Sequence, residues 1–437
     1  MRPENTGFAP HTVSENCFNL YHAIVNIVNF DIAVKTAGLE NMSVETGMYL
    51  YPWEIKDVET FKKDYASTGC TGMAPALCYH HGNALIARSG RFKTISESAL
   101  SFTPNTALYG DIKAEVHAEA ARAGVVKALR GLCADTGRAF SGWLVLLHNS
   151  TQGARHPDIC IENLFGDRYV HALCPSHPEV RRYAEALVTD ICAQFSPDSL
   201  LLEAITPQPA RHGAHHEIAN IAVPEALRWL WSLCFCPRCM EEAARLVPGL
   251  DPQALRERAK KLVLGLANGE TLIPANEGSQ TMMLMLEAPE LFAYQRARQF
   301  IVAGFIAEIS RLLRKARVEF RLIPSALPFD INHVYMEGMN FTATAGLADR
   351  LMPLIYRQGE TYEIVRNTIR LFDGDTPIGM VNTLFPTTSP DKASFLGAMK
   401  NAHDGGCDTF YIYNYSMAST GRLGWIAEMN KVFYAQH

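Results

Sequence analysis

The chain has 437 residues, of which 48% are hydrophobic and 19% charged, so it can bury the core of one large domain or of two smaller ones. Its formal net charge is −5 and it carries no long basic block, which argues against a nucleic-acid partner. No apolar run approaches the roughly 18 residues that span a bilayer, and the N-terminus lacks the pattern of a secretory signal. We therefore expect a soluble, cytoplasmic protein with no membrane partner.

Strand-like and helix-like segments alternate along the chain, which predicts parallel βα units. The eight predicted strands are Gly47–Trp53, Gly72–Tyr79, Gly142–Leu147, Ser199–Glu203, Phe320–Ser325, Leu351–Tyr356, Ile378–Asn382 and Thr409–Asn414. The helices predicted between and after them are Asp57–Ser67, Ala114–Thr136, Pro178–Phe195, Glu360–Leu371, Pro390–Asp404 and Leu423–Tyr434.

Eight such units predict a single α/β domain over residues 1–437, a (β/α)8 or TIM barrel. The main alternative, an open doubly wound sheet, would need a glycine-rich phosphate loop after strand 1, where this chain has Tyr-Pro-Trp-Glu. Residues 207–317 are predicted to form a helical insertion between strands 4 and 5, with helices at 239–246, 252–267 and 289–316. Residues 79–109 are predicted to form a second long loop.

In this fold the catalytic groups come from the carboxyl ends of the strands. The candidates at these positions are Glu54, His80, His81, His148, Asn149, Glu203, Asp330, Tyr356, Asn382, Tyr413 and Asn414. Glu203 is the most informative, because it ends an apolar strand where an unpaired carboxylate is costly. We predict that it is a general acid/base or a nucleophile; the alternative is a structural glutamate bonded to a neighbouring strand.

A polar run, Arg-His-Gly-Ala-His-His-Glu, occupies residues 211–217. Its His215, His216 and Glu217 are candidates for binding substrate hydroxyls, for proton transfer, or for a metal site built with His80 or His81. A solvated polar loop is the alternative interpretation. Aromatic residues at the strand ends could stack against sugar rings or simply fill the barrel.

Three cysteines lie close together in the sequence, at Cys234, Cys236 and Cys239. This C-x-C-x-x-C spacing is typical of a tetrahedral zinc site, and Cys174 is the natural fourth ligand. Reduced packing cysteines and a redox role are the alternatives.

The order of these features resembles barrel glycoside hydrolases, distantly the family 42 β-galactosidases and uncharacterised hydrolase-like relatives. The resemblance covers residues 140–245 by motif. In the family, an upstream cysteine and a C-x-C-x-x-C segment bind zinc, and Cys174, Cys234, Cys236 and Cys239 follow that order. Glu203 falls where the family's acid/base lies. The resemblance implies a structural zinc ion, a small carbohydrate or glycoside as partner, and glycosidic hydrolysis.

The chain also departs from that family. Leu202 precedes Glu203 where the family has Asn, and strand 7 ends at Asn382 where the family places its nucleophilic Glu. The second carboxylate could be Glu54, Asp330, Glu217 or Glu360, and Glu203 could itself be the nucleophile with Asp330 or Glu360 as the acid. The separation of the two carboxylates would decide between retention and inversion.

Two other functions remain open. One is a lyase, isomerase or deacetylase that uses a divalent metal on a sugar derivative. The other is a non-catalytic sugar-binding barrel. A homo-oligomer is also compatible with the sequence.

Overall fold

The computed structural model describes residues 44–210, 223–268, 277–325, 333–356, 358–372 and 376–434. Eight parallel strands form a barrel in these ranges. They are β1 Glu45–Leu50, β2 Gly72–Tyr79, β3 Ala139–Val145, β4 Ser199–Glu203, β5 Glu319–Leu322, β6 Arg350–Leu351, β7 Gly379–Thr383 and β8 Thr409–Tyr413. Hydrogen bonds join them in the order β6-β5-β4-β3-β2-β1-β8-β7. Parallel bridges from Leu351 to Ile378 and from Leu354 to Val381 close the ring. The predicted barrel is confirmed, and the open doubly wound sheet is wrong.

Helices follow the strands around the outside of the barrel. They are α1 Val58–Ala66, α2 Ala118–Ala123, α3 Val125–Thr136, α4 Ser150–Arg155, α5 Pro178–Phe195, α6 Glu225–Ser232, α7 Pro237–Leu246, α8 Pro252–Ala267, α9 Glu277–Glu287, α10 Pro289–Ala316, α11 Phe341–Thr344, α12 Thr361–Leu371, α13 Lys392–Asp404 and α14 Thr420–Tyr434. Short 3-10 turns occupy Pro52–Glu54, Thr106–Leu108, Pro157–Ile159 and Val334–Glu337. No helix within these described ranges is long and apolar enough to cross a membrane.

Local chemistry sets several of these boundaries. Asp57 begins α1 by accepting hydrogen bonds from the backbone N–H groups of Glu59 and Thr60. The single helix predicted over 114–136 is instead α2 and α3, because Gly124 lies between them with φ of 62°. Strand β1 ends at Leu50 rather than at Trp53, since Pro52 starts a 3-10 turn.

Helices α6 to α10 lie between β4 and β5, where the sequence predicts a helical insertion. The prediction that all 437 residues form one domain stays a prediction, because residues before Val44 lie outside the described ranges. Two antiparallel hairpins were not predicted from the sequence. One pairs Gly82–Ile86 with Arg91–Ile95, and the other pairs Cys160–Glu162 with Arg168–Leu173.

The amino-end half of the barrel interior is filled by Tyr411 and by paired charges. The Tyr411 hydroxyl donates to Glu45 Oε1 at 2.6 Å and lies 2.8 Å from Ser141 Oγ. A Cβ on Gly47 would lie 2.5 Å from the Tyr411 ring, so glycine is needed there to admit the aromatic side chain. The Arg321 guanidinium donates two hydrogen bonds to Glu45, at 2.8 and 2.6 Å. This end of the barrel is therefore a packed, charge-neutralised floor.

Candidate active site

A cavity of about 320 Å³ opens at the carboxyl ends of the barrel strands. Its volume is at the lower end of the range typical of small-molecule sites, about 300–1,000 Å³. The described lining residues are Tyr49, Tyr51, Tyr79, His80, Gly82, Asn83, Ala84, Ile95, Glu203, Leu354, Tyr356, Val381, Tyr413 and Met417. Among these residues Glu203 is the only carboxylate, and there is no lysine or arginine. The described part of the cavity wall therefore suits a neutral ligand that carries hydroxyl groups.

Glu203 is the last residue of β4, and the four residues before it are buried. The Trp143 indole N–H donates a 2.8 Å hydrogen bond to Glu203 Oε2. Burial raises the pKa of Glu203 to about 7, the Trp143 hydrogen bond lowers it, and the charge of Glu337 raises it. A carboxyl group with a pKa near neutrality can donate a proton and take it back at physiological pH.

Three tyrosine hydroxyls form a closed ring on the cavity wall. Tyr51 Oη lies 2.6 Å from Tyr413 Oη and 3.0 Å from Tyr79 Oη, and the last two are 3.1 Å apart. Because each hydroxyl has one proton, the ring uses all three protons and leaves each oxygen able to accept. This tyrosine ring, Tyr51, Tyr79 and Tyr413, therefore presents acceptors to a ligand. The structure brings the predicted Tyr413 into this group.

Tyr49 lies beside this ring and was not among the sequence candidates. It lines the cavity, its side chain is buried, and its hydroxyl has no hydrogen-bond partner among the described residues. Burial raises the pKa of Tyr49, so the hydroxyl keeps its proton. A buried donor without a partner costs about 1–3 kcal/mol. A ligand oxygen that accepts from Tyr49 would remove that cost.

Glu54, a predicted catalytic residue, is held away from the lining. Its carboxylate pairs with Lys93 at 3.1 Å and with Arg91 at 3.4 Å. Both cations belong to the hairpin that covers one side of the cavity, so in this structure Glu54 fastens the hairpin to the barrel. The neighbouring Trp53 stacks on Tyr51, with ring centroids 4.8 Å apart.

The predicted histidines separate into a cavity residue and a stack behind it. His80 lines the cavity, and its ring lies 4.4 Å from the ring of His148 in a parallel stack. His171, which the sequence did not single out, lies edge-on to His148 at 6.2 Å. His81 is exposed and its ring lies 6.3 Å from that of His148. The structure therefore places one of these imidazoles, that of His80, in the described wall.

The three predicted asparagines have structural contacts. Asn149 caps α4 by accepting from the backbone N–H of Gln152 at 3.0 Å. Asn382 donates to the Ile355 carbonyl at 2.9 Å and so ties β7 to the segment after β6. Asn414 accepts from the backbone N–H of Ser416 at 2.8 Å. None of the three is among the described lining residues, whereas the predicted Tyr356 is.

Four predicted site residues, Asp330, His215, His216 and Glu217, lie outside the described residues. Their assignment stays a prediction. Glu360 immediately precedes α12 and is exposed.

A second carboxylate, that of Glu337, lies buried near Glu203. The Thr206 hydroxyl donates to Glu337 Oε2 and the Ser325 hydroxyl donates to Oε1, each at 2.5 Å. Thr206 comes three residues after Glu203, and Ser325 comes three residues after the end of β5. Glu337 belongs to a 3-10 turn that sequence periodicity does not indicate, which is why it was missed. It does not line the described cavity.

The four predicted metal ligands converge at one point. Cys174 Sγ lies 3.8, 3.9 and 3.5 Å from the sulfurs of Cys234, Cys236 and Cys239, and all four side chains are buried. A tetrahedral zinc ion with Zn–S bonds of about 2.3 Å requires sulfurs about 3.8 Å apart. Hydrogen bonding among the thiols lowers the pKa of Cys236, whereas the pKa values of Cys234, mainly through burial, and of Cys239, mainly through hydrogen bonding, are raised, so the fit to a metal rests on the distances between the sulfurs. The donor set therefore fits a structural zinc site.

This cysteine cluster lies against α10. The Tyr294 hydroxyl donates to the Cys234 carbonyl at 2.5 Å. Arg298, also on α10, is buried, and its positive charge interacts with three of the thiol groups. Such a cation offsets part of the negative charge that four thiolates around a divalent ion would carry. Among the described residues this is the only group of three or more metal-ligating side chains that converge.

The barrel is similar in fold to solved structures of TIM-barrel glycoside hydrolases. The catalytic domain of β-amylase from Paenibacillus polymyxa superposes with a TM-score of 0.55 at 9% identity, over 89% of this chain and 98% of that one. A β-galactosidase from Marinomonas ef1 gives a TM-score of 0.52 at 10% identity, over 88% of this chain and 59% of that one. An α-L-fucosidase isoenzyme 2 from Paenibacillus thiaminolyticus also gives 0.52 at 10% identity, over 90% of this chain and 50% of that one.

At these identities the similarity is one of fold, and it confirms the resemblance to barrel glycoside hydrolases at that level. No protein-family profile matches the sequence, and no curated protein sequence matches it significantly. A barrel by itself does not name a reaction. The residues of the cavity therefore carry the information about function.

Proposed function

We propose that this protein hydrolyses the glycosidic bond of a small, neutral glycoside, with Glu203 as the proton donor. The observation that carries the proposal is the position of Glu203. It is the only carboxylate among the described lining residues, at the end of a barrel strand, with a pKa of about 7. A glycosidase needs such an acid to protonate the oxygen of the departing group. The similarity of fold to β-amylase, β-galactosidase and α-L-fucosidase supports the same class of substrate.

The cavity residues have complementary parts in this reaction. The ring of Tyr51, Tyr79 and Tyr413 accepts hydrogen bonds from sugar hydroxyls, and Tyr49 donates one. Glu203 transfers its proton to the glycosidic oxygen as the bond to the anomeric carbon breaks. Water supplies the hydroxyl that replaces the leaving group. Asp330 and Glu217 remain the candidates for the carboxylate that activates this water or forms a glycosyl intermediate.

The experiment compares two leaving groups in wild type and in Glu203→Gln. A phenyl glycoside needs protonation of its poor leaving group, so we expect its kcat/KM to fall about 10²–10⁴-fold. A 2,4-dinitrophenyl glycoside leaves without that help, so its rate should fall far less. Equal losses on both substrates would assign Glu203 to another role, and unchanged turnover would refute the proposal.

The matched control is Glu45→Gln. It removes a buried carboxylate from the opposite end of the same barrel, where Glu45 pairs with Arg321 at 2.6 Å. We expect this variant to be less stable but to keep the wild-type ratio of rates on the two substrates. A panel that varies the sugar with one leaving group would then identify the glycone.

One observation favours a second candidate function. Glycoside hydrolysis normally uses two carboxylates, and the described lining holds one. A sugar-binding barrel without turnover would need only the tyrosines. Thermal stabilisation by a free monosaccharide, together with no product from any glycoside of the panel, would support this alternative.

We further propose that Cys174, Cys234, Cys236 and Cys239 hold a structural zinc ion. The ion would cross-link the turn before α5 to the start of α7 and thereby fasten the helices between β4 and β5 to the barrel. All four positions of a tetrahedral ion are taken by sulfur, which leaves none open for a substrate.

A further inference from the structure

Glu337 is unusual because its buried carboxylate is held by hydroxyl groups from two strand ends. Thr206 follows β4 and Ser325 follows β5, and each donates to a different oxygen of Glu337 at 2.5 Å. The residue is 2% exposed. Hydroxyl donors on both oxygens stabilise the ionised form of a carboxyl group. These two contacts favour a negatively charged Glu337 beside the loop that follows Glu203.

Helix α10 holds the turn that carries Glu337. Gln295 and Arg298 donate to the carbonyls of Tyr335 and Met336 at 2.8 and 2.6 Å. Gln299 donates to the Met339 carbonyl at 3.1 Å. Residues 295, 298 and 299 share one face of a helix, so a single rigid surface fixes both sides of the turn.

Gly338 allows the turn to approach α10 closely. Its φ is 80°, and a Cβ there would lie 2.9 Å from a methyl group of Val302. Backbone, helix and hydroxyl contacts thus fix Glu337 in one position.

We infer that Glu337 is a positioning residue whose buried charge keeps the neighbouring Glu203 carboxyl in its protonated, proton-donating form. Two nearby carboxyl groups cannot both ionise easily, and the one with hydroxyl donors ionises first. Glu337 acts through Glu203 and does not touch the substrate. The inference deepens the proposed function, because a general acid must hold its proton at the working pH.

Among the described residues, the other titratable groups that line the cavity with Glu203 are the tyrosines and His80. The charge of Glu203 acts on Tyr49, Tyr51, Tyr79, Tyr356 and Tyr413. Burial raises the pKa of each of these phenols, so they stay neutral near pH 7. An imidazole can titrate in that range, so His80 must be controlled for. The cation nearest to the Glu337 turn among the described contacts is Arg298, which donates to Met336.

The test follows ionisation of Glu203 without any substrate, so its outcome is separate from that of the proposed hydrolysis. Trp143 donates to Glu203, so its emission should change as Glu203 loses its proton. The pH-dependent emission of wild type is measured, and that of Glu203→Gln is subtracted. We expect a midpoint near pH 7 in wild type. In Glu337→Gln the midpoint should fall by about half a pH unit or more.

Two further variants keep the test decisive. His80→Gln should leave the midpoint unchanged, and loss of the titration in that variant would overturn the assignment. If Glu337→Gln does not fold, Ser325→Ala removes one hydroxyl donor and should move the midpoint downward by a smaller amount. An unchanged or higher midpoint in a folded Glu337→Gln protein, or in Ser325→Ala, would overturn the inference.

Discussion

Replacing Glu203 by glutamine should make the protein more stable at alkaline pH but not at acid pH. Burial raises the pKa of Glu203 from an ordinary value of 4.5 to about 7 in the folded chain. Between these values the folded protein holds a proton that the unfolded chain has released, so wild-type stability falls as the pH rises. Above pH 7 the folded protein carries a costly buried charge. Glutamine has the same shape and no charge, so the variant lacks this pH-dependent loss.

The size of the effect follows from the shift. A change from 4.5 to about 7 is about 2.5 pH units, and at 1.36 kcal/mol per unit this gives about 3 kcal/mol. Glu203 is partly exposed to solvent, which screens its charge. This screening reduces the expected loss of stability to about 2 kcal/mol. For a chain of this length, about 2 kcal/mol changes Tm by about 2 °C.

The assay is calorimetry of wild type and Glu203→Gln at pH 4, 5, 6, 7 and 8. The difference in Tm between the two proteins should grow in favour of the variant as the pH rises, and should level off above pH 7. A difference in Tm that does not vary with pH reports other effects of the glutamine amide, and it is subtracted. A difference that stays constant with pH, or that moves in favour of wild type, would refute the reasoning about the buried carboxyl.

Three other predictions concern separate parts of the molecule. Trp143→Phe removes a hydrogen-bond donor to the Glu203 carboxylate. The alkaline limb of the pH profile of kcat should therefore move up by about one pH unit, because such bonds are worth about 1.5–3 kcal/mol. A downward shift would contradict this. Cys236→Ser should lose about one zinc ion per chain by plasma mass spectrometry and should unfold at lower temperature, and a variant that keeps its metal would disprove the cysteine site. Tyr49→Phe should be at least as stable as wild type without ligand, because its hydroxyl has no partner among the described residues, yet should bind a sugar several-fold more weakly in calorimetric titration.

The barrel could be predicted because each of its strands is a short apolar run flanked by turn residues. Ser199–Glu203 and Gly72–Tyr79 were predicted with the boundaries that the structure has. Helices Pro178–Phe195 and Pro289–Ala316 begin at a proline, which marks the first turn of a helix. The hairpin over the cavity was missed because only three of the ten residues in Gly82–Ile86 and Arg91–Ile95 are buried, so these strands lack the continuous apolar runs of the barrel strands.

The candidate site was predictable where a residue type is anomalous for its position. A carboxylate at the end of an apolar strand pointed to Glu203, and cysteine spacing pointed to the four convergent sulfurs. The position of Glu54 could not be foreseen, because it depends on Lys93 and Arg91, which lie far along the chain on a hairpin. Tyr49 and Glu337 gave no signal, since one looks like barrel filling and the other lies on an irregular turn after β5.

The carboxylates at the two ends of the barrel have different surroundings, and this difference supports the proposed role of Glu203. Burial alone would raise the pKa of Glu45 at the floor, but the paired Arg321 guanidinium lowers it below its ordinary value. Glu203 lies at the other end of the same barrel, and no described cation lies within ion-pair distance of it, while burial and Glu337 raise its pKa. Glu45 is thus paired with a cation, whereas Glu203 lies near a second carboxyl group. Such an arrangement lowers stability, and it is the arrangement that a general acid requires.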